Sequence, residues 1–545
     1  MNGPTLPTIL TLLPMVGAAL LLGMEHKKLP RCLAIAVSFV ALGLTLCLVA
    51  HFDRSSPDIQ FVERHAWIPT LNIEYFVGVD GLSLALLLLT AIVTPMALLA
   101  SNLGRAGCHP DPFIPGIMGT GGAVPSHAEP GLGAPLGKPN LYYALILFLQ
   151  SGLFGAFTAL NFFHWFLYWE LTLIPAFFLV KFWGGPQRHG ASLQFFIYTM
   201  VGSIALLLAF LAVYQATGTF DLIVLAEKGR TGELASAMLV KLGWYGLTAK
   251  QLSLVIFSLA FLGFAVKTPL MPFHTWLPTT YTEAPTPVTM LLTGVMSKLG
   301  VYGFLRLLLP LFPEAMRALL TPLLWFAVAT IVLSAAAALV QTDLKRVLAY
   351  SSINHLGYCL LGLFAAVSVT APDTRWAVEK TAALDGVVLQ MFNHGLTAAT
   401  LFLFVSFLEQ RGARGLGDFG GLRKVAPVFC GLMGIAVFSS LGLPGLNGFV
   451  GEFLIFKGAF PLAPWATALS VAGLLLTAIF LLTLMQRIFH GPLNERWSAF
   501  TDLTLRERLL VAPAIALIFV LGIYPQLLIG LINTTMTQFA ENLKF

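Results

Sequence analysis

Val266-Lys267-Thr268-Pro269-Leu270-Met271-Pro272-Phe273-His274 ends an apolar, charge-free run that begins at Leu252. A lysine followed by two prolines at the end of such a run is a charge set at a break in a membrane helix. An ammonium at bilayer depth costs roughly 2.5 to 3.5 kcal/mol, and a helix broken by proline frees backbone groups that lipid cannot satisfy. Both are tolerated where the site is enclosed by protein or faces water. Broken helices of this kind are where secondary transporters hold ions, so the stretch points to proton or cation movement.

Composition sets the setting. Hydrophobic residues make up 57% of 545 residues and charged residues 10%, with mean hydropathy +0.84, which excludes a soluble domain and reads as a polytopic membrane protein. The net charge of +6 is spread through the loops and forms no basic patch, so no nucleic-acid partner is expected; the partner surface is the lipid bilayer. Cys32, Cys47, Cys108, Cys359 and Cys430 stand far apart, without metal-site or iron–sulfur spacing. The apolar run Leu6 to Leu22 lacks a basic leader and a cleavage signal, and reads as a retained first span.

Apolar runs near 5–23, 31–50, 80–100, 141–160, 162–182, 190–215, 251–277, 286–309, 319–341, 346–366, 384–408, 427–457, 465–486 and 509–533 predict an all-α fold of about fourteen transmembrane helices. The seventh is broken at Pro269 and Pro272, the twelfth at Gly442-Leu443-Pro444-Gly445 and Gly448. Breaks at matching places predict two inverted five-helix repeats, 141–309 (helices 4–8) and 319–486 (helices 9–13). Helices 1–3 (1–103) and a Gly/Pro-rich loop (104–140) precede them, and helix 14 with its flanks (487–545) follows. Lys27, Lys28, Arg31, Lys345, Arg346, Arg411, Arg414, Arg423 and Lys424 fall in alternate loops. The positive-inside rule therefore puts both termini on the outer, periplasmic side.

Ionisable residues inside the spans are the candidate site. Glu170 lies within the fifth span, and a carboxylate there could pair with and release Lys267, passing a proton as the two separate; a static ion pair joining two helices is the alternative. Lys298 lies deep in the eighth span among small residues. Glu452 follows the second break as the counterpart of Lys267, and Lys457 is nearer the span end. His355 and His394, on spans between Lys298 and Glu452, could relay protons near neutrality. His274 at the first break and Glu283 at the turn into the eighth span are further candidates, the latter for a proton entrance. His164 reads as structural. Asp343-Leu344-Lys345-Arg346 reads as a cap between the ninth and tenth spans.

These residues also carry a resemblance. Phe-Leu-Tyr-Trp-Glu170-Leu-Thr-Leu-Ile-Pro, Ala-Val-Lys267-Thr-Pro-Leu-Met-Pro-Phe-His274-Thr-Trp-Leu-Pro, Thr-Glu283-Ala-Pro-Thr-Pro-Val, Tyr350-Ser-Ser-Ile-Asn-His355-Leu-Gly and Gly-Phe-Val-Gly-Glu452-Phe resemble the antiporter-like M subunits of respiratory complex I, the proton-pumping NADH:quinone oxidoreductase. The resemblance runs from about Gly78 to the last span. It implies discontinuous helices 7 and 12 and a proton path of Glu170, Lys267, Lys298, His355, His394 and Glu452, with the glutamate ending of M-type subunits. It also implies the cell inner membrane and L-, N- and K-type membrane neighbours. No cofactor is expected in this chain; NADH, FMN, iron–sulfur clusters and quinone are expected in partner subunits. Leu277-Pro278-Thr279-Thr280-Tyr281-Thr282-Glu283-Ala284-Pro285 departs from the family pattern, losing an acid and a histidine at the entrance.

The leading expectation is therefore a translocase subunit that moves protons through buried Glu, Lys and His, driven by redox chemistry elsewhere. One charge crossing at about 150 mV costs about 3.5 kcal/mol, which this chain has no redox centre to supply. An Mrp-type Na⁺/H⁺ antiporter subunit or a membrane-hydrogenase subunit of the same fold is the alternative, and a scaffold of static ion pairs a third.

Overall fold

The computed structural model describes residues 5–24, 29–101, 138–243, 246–368 and 376–543. The chain runs through α1 (Leu6–Leu22), α2 (Leu29–His51), a hairpin of β1 (Gln60–Ile68) and β2 (Ile73–Val79), α3 (Gly81–Ala100), α4 (Pro139–Thr158), α5 (Phe162–Trp183) and α6 (Arg188–Thr217). The short α7 (Leu222–Arg230) and α8 (Glu233–Leu242) lead to α9 (Ala249–Lys267) and α10 (Trp276–Glu283). Then come α11 (Thr286–Leu311), α12 (Leu320–Leu339), α13 (Leu344–Ala366) and α14 (Ala377–Gln410). The chain ends in α15 (Pro427–Ser440), α16 (Asn447–Leu462), α17 (Pro464–Phe489), α18 (Leu505–Ile523) and α19 (Gln526–Glu541).

Among the described residues eleven helices are long and apolar enough to cross a bilayer, twelve if α18 and α19 count as one. α1 and α15 are apolar but shorter. At several helix starts a polar side chain bonds the first unpaired backbone amides. Asp80 accepts from Ser83 N at the start of α3, Asn161 caps α5, and Asp343 accepts from Arg346 N at 3.1 Å at the start of α13. Thr248 with Gln251 and Thr504 with Glu507 form capping boxes on α9 and α18.

Burial sorts the helices. The most apolar windows of α11 and α14 are wholly enclosed by protein, whereas those of α2 and α17 are only 33% and 39% buried and present the rest outward. Lys298 and Arg306 on α11 and Lys380 and Asp385 on α14 therefore face protein. Close approach of these two helices depends on Gly294 and Gly395: a Cβ at 395 would lie 2.5 Å from the Gly294 carbonyl oxygen.

Several expectations are revised. The last span, read as one helix, is two, bent by 63° at Tyr524-Pro525, because proline lacks the amide that would continue α18. The eleventh begins earlier, at Ala377. The β-hairpin between α2 and α3 was not anticipated, nor were α7 and α8; Asn72, in the left-handed conformation, turns the hairpin. The loop read as 104–140 lies outside the described residues up to 137, and Pro139 already belongs to α4.

Candidate functional site

The first break separates α9 from α10, and protein groups take up the backbone it frees. Met271 N donates to Thr330 Oγ1 of α12 at 3.0 Å, Leu270 N to Ala265 O at 2.9 Å, and Trp276 Nε1 to Val266 O at 3.0 Å. This is the enclosure that a non-helical segment requires at membrane depth. Lys267, the last residue of α9, is 2% exposed. Its ammonium lies 4.9 Å from the centre of the Trp169 ring and donates to Thr172 Oγ1 at 3.4 Å. Glu170 shares α5 with both, yet it forms no ion pair with Lys267 among the described residues. Its Oε1 is enclosed without a hydrogen-bond partner. The expected pair is thus present in neighbourhood and open in geometry; an aromatic face and a hydroxyl hold the ammonium instead.

Lys298 occupies a helix distorted on both sides. Leu292–Met296 and Phe304–Leu308 within α11 are π-helical, so Ser297 N bonds back to Leu292 O and Thr293 O is left without its usual amide. Two side chains fill that vacancy: Ser297 Oγ donates to Thr293 O at 2.9 Å and Lys298 Nζ at 2.5 Å. The ammonium is fully buried and folded back on its own helix. Gly300, two residues on, packs directly on Thr268 beside the first break, so α11 abuts the Lys267 site.

At the second break, between α15 and α16, amides and hydroxyls do the holding. Asn393 Nδ2 donates to Asn447 O at 2.7 Å, while Asn447 Oδ1 accepts from Ser439 Oγ at 2.5 Å and Thr397 Oγ1 at 3.3 Å. Gly442, at φ +79°, leaves room for the Glu452 carboxylate: a Cβ there would lie 2.6 Å from Oε2. Here the residues expected from sequence converge. His355 Nδ1 lies 3.1 Å from Glu452 Oε1, His355 Nε2 lies 3.1 Å from Ser440 Oγ, and the rings of His355 and His394 are 4.7 Å apart. His394 Nε2 is buried without a partner.

Gln390 was not anticipated. It stands on the same helix as His394, and its Nε2 lies 3.2 Å from His355 Nδ1 and 3.4 Å from Glu452 Oε1. An uncharged amide in an apolar helix gives little sequence signal; its spacing of one helical turn from His394 was the only one available. The Asp80–Arg306 ion pair was also missed. At 2.5 Å and nearly buried, it ties the start of α3 to the far end of α11.

The remaining candidates are less central. His274 sits in the first break, 6.2 Å ring to ring from Tyr350, with Nδ1 unpartnered. Glu283 is held: Gln187 N donates to its carboxylate at 2.9 Å and Arg414 approaches to 3.9 Å. Lys345, expected in a cap, is instead buried, donating to Ala284 O at 2.8 Å and pairing with Glu409 at 3.2 Å. Arg414 donates to Thr282 O at 3.0 Å and to Asp343 at 2.6 Å. Two cations thus cap the carbonyl end of α10, where the helix dipole favours positive charge. His164 packs edge-on or tilted against Trp67, Tyr75 and Tyr168, and Lys457 is exposed.

Residues 159–479 match the family model described as NADH:quinone oxidoreductase/Mrp antiporter, TM. The chain is 33% identical to NADH-quinone oxidoreductase subunit M of Rhodobacter capsulatus, over 98% of this chain and 96% of that protein. In structure it is similar to a chain of respiratory complex I from Thermus thermophilus, with TM-score 0.78 and 26% identity over 98% and 99% of the two chains. A chain of the Mrp complex from Dietzia sp. shares the fold, with TM-score 0.77 and 20% identity over 99% of this chain and all of that one, 100%. With more than half its length matched and a relative at this identity, the chain belongs to the NADH:quinone oxidoreductase/Mrp antiporter transmembrane family.

Proposed function

We propose that this chain is the proton-translocating M-type membrane subunit of an NADH:quinone oxidoreductase, and that protons move along a lateral row of Glu170, Lys267, Lys298, His355, His394 and Glu452, with His274 and Glu283 at its margins. The observation that carries the reading is the buried contact of His355 Nδ1 with Glu452 Oε1 at 3.1 Å, with the His394 ring beside it. An imidazole, which can both take up and give a proton, set against a carboxylate inside a membrane helix bundle suits proton transfer better than static support. At the other end, Lys267 leaves Glu170 unengaged, which is the state a switch by pairing requires.

The chain's own residues hold and move protons, while NADH, FMN, iron–sulfur clusters and quinone belong to other subunits of the complex. Its membrane neighbours are of the L-, N- and K-type. The two blocks 141–309 and 319–486 are inverted repeats, and α1 and the broken α15–α16 pair also cross the membrane, bringing the count to about fourteen. Both termini face the periplasm across the inner membrane.

The experiment is proton pumping by inverted membrane vesicles bearing the assembled complex, measured beside NADH oxidation. Glu452→Gln should retain electron transfer and lose most of the pumping; pumping at the wild-type ratio of protons to electrons would remove Glu452 from the path.

A further inference from the structure

The contact between His355 and Glu452 has a third member with unusual chemistry. Gln390 turns a single nitrogen, Nε2, toward both His355 Nδ1 (3.2 Å) and Glu452 Oε1 (3.4 Å). A primary amide nitrogen carries two N–H donors and no acceptor. Bonded to both neighbours, it needs Nδ1 to be a bare acceptor and Oε1 to be an acceptor as well. That describes a neutral His355 protonated on Nε2, facing Ser440 Oγ at 3.1 Å, beside a Glu452 that carries no proton on Oε1. In this orientation the amide favours the state in which no proton lies between the pair.

The other end of the same amide shows what that orientation costs. Gln390 Oε1 is buried with no hydrogen-bond partner, in the slot left by Gly451, where a Cβ would lie 2.7 Å from it. A buried acceptor without a donor is unfavourable. Turning the amide by 180° would present Oε1 to His355 Nδ1 and give it a donor once Nδ1 carries a proton, with Nε2 then facing the Gly451 slot.

We infer that Gln390 is a positioning residue that holds the His355–Glu452 pair proton-free and must turn its amide for a proton to pass between Nδ1 and Oε1. The step is a bare proton transfer: the Nδ1–H bond breaks and the Oε1–H bond forms, with no change of oxidation state. It rests on the proposed role of His355 and Glu452 in the proton path. Gln390 touches His355 on α13 and Glu452 on α16, and the titratable groups that interact with this pair are Tyr358 and Cys359 on α13, His394 on α14 and, through His394 and Cys359, Lys298 on α11; the pH response belongs to this set, with Gln390 selecting how it is shared.

The test is the pH profile of proton pumping, relative to NADH oxidation, in vesicles holding the assembled complex. Gln390→Met keeps an unbranched chain of similar length and removes both ends of the amide. It should displace the profile by at least about half a pH unit and lower pumping by about threefold or more, a weakening of about 0.6 kcal/mol in the transfer step. Gln390→Asn, which keeps the amide on a shorter stem, is the second variant and should give the same displacement if the methionine variant fails to assemble. A profile that superimposes on wild type in either assembled variant, while Glu452→Gln abolishes pumping, overturns the role of Gln390 and spares the path. Normal pumping in Glu452→Gln overturns the path itself.

Discussion

The two helix breaks solve the same backbone problem with opposite charge. The first ends in an ammonium, Lys267, held by a ring face and a threonine hydroxyl while Glu170 stands unengaged. The second faces a carboxylate, Glu452, held by a histidine and an amide. One end of the row is open and the other closed. In low dielectric the placement of a partner weighs heavily on the cost of carrying charge, so the two ends offer a proton different surroundings in one and the same structure. A row whose ends differ in this way can pass a proton when the open end closes. On the proposed proton path the breaks are two states of one device and not two copies of one support.

The largest expected effect comes from removing the cation of the open end. Lys267→Ala should lower pumping at least about tenfold, an interaction loss near 1.4 kcal/mol or more, with NADH oxidation retained in the assembled complex. Pumping close to wild type would reduce the first break to a support and end the comparison. Next is Lys345→Met. Glu409 would lose its cation, and the carbonyls of α10 would lose a donor. Breaking a buried pair costs about 3 to 5 kcal/mol; Glu409 reaches solvent, so about 3 is expected, read as a lower temperature of thermal dissociation of the complex. An unchanged temperature would mean that α10, and with it the first break, is held from elsewhere.

Much of this architecture was legible because membrane helices announce themselves by length and apolarity. Every helix from α1 to α6, the broken α9–α10 and α15–α16 pairs, and the burial of Lys267, Lys298, His355, His394 and Glu452 within the bundle were legible in the chain, since a charge or a Gly/Pro cluster in an apolar run has few explanations. What escaped carries no such contrast. Gln390 is uncharged, so nothing in its run marks it as a partner of Glu452. The π-helical turns beside Lys298 arise from packing, and Leu292–Met296 looks like any apolar helix. The hairpin of β1 and β2 lies between spans, where apolarity has no periodic signal to offer. Asp343-Leu344-Lys345-Arg346 was half right: Asp343 caps α13, but burial of Lys345 depends on α10 folding over it, which is a tertiary fact.

Thr172→Val sharpens the comparison at the open end with a smaller effect. It deletes the only hydrogen bond that Lys267 Nζ makes among the described residues and keeps the shape of the side chain. A hydrogen bond to a charged group contributes about 1.5 to 3 kcal/mol, but at 3.4 Å this one is long, and about 1 is expected. If Lys267 works by exchanging Thr172 for Glu170, the variant should drive the ammonium toward the carboxylate and lower pumping about fivefold through a pair that no longer opens. Adding Glu170→Gln should then restore none of it, because the carboxylate is the partner the switch needs.

The smallest effect lies outside the membrane, where β1 meets α1. Thr5 N and Thr8 Oγ1 donate to Glu63 at 3.0 and 2.6 Å. Burial pushes the Glu63 carboxyl up, and the hydrogen bonds from Thr8 and Thr5 outweigh it, leaving it below the usual 4.5. A carboxylate depressed in the folded state stabilises above its unfolded value, and that contribution fades as pH falls through the folded one. Glu63→Gln should therefore matter at neutral pH, by less than about 1 kcal/mol given solvent screening, and cease to matter once pH has fallen through the depressed folded value of this carboxyl. Amide exchange at the start of α1, followed from neutral pH down into acid where Glu63 is protonated, reads the difference. A gap between variant and wild type that persists in acid would assign the contribution to hydrogen-bond geometry rather than charge, and would leave the hairpin a cover for α1 with no electrostatic part in seating it.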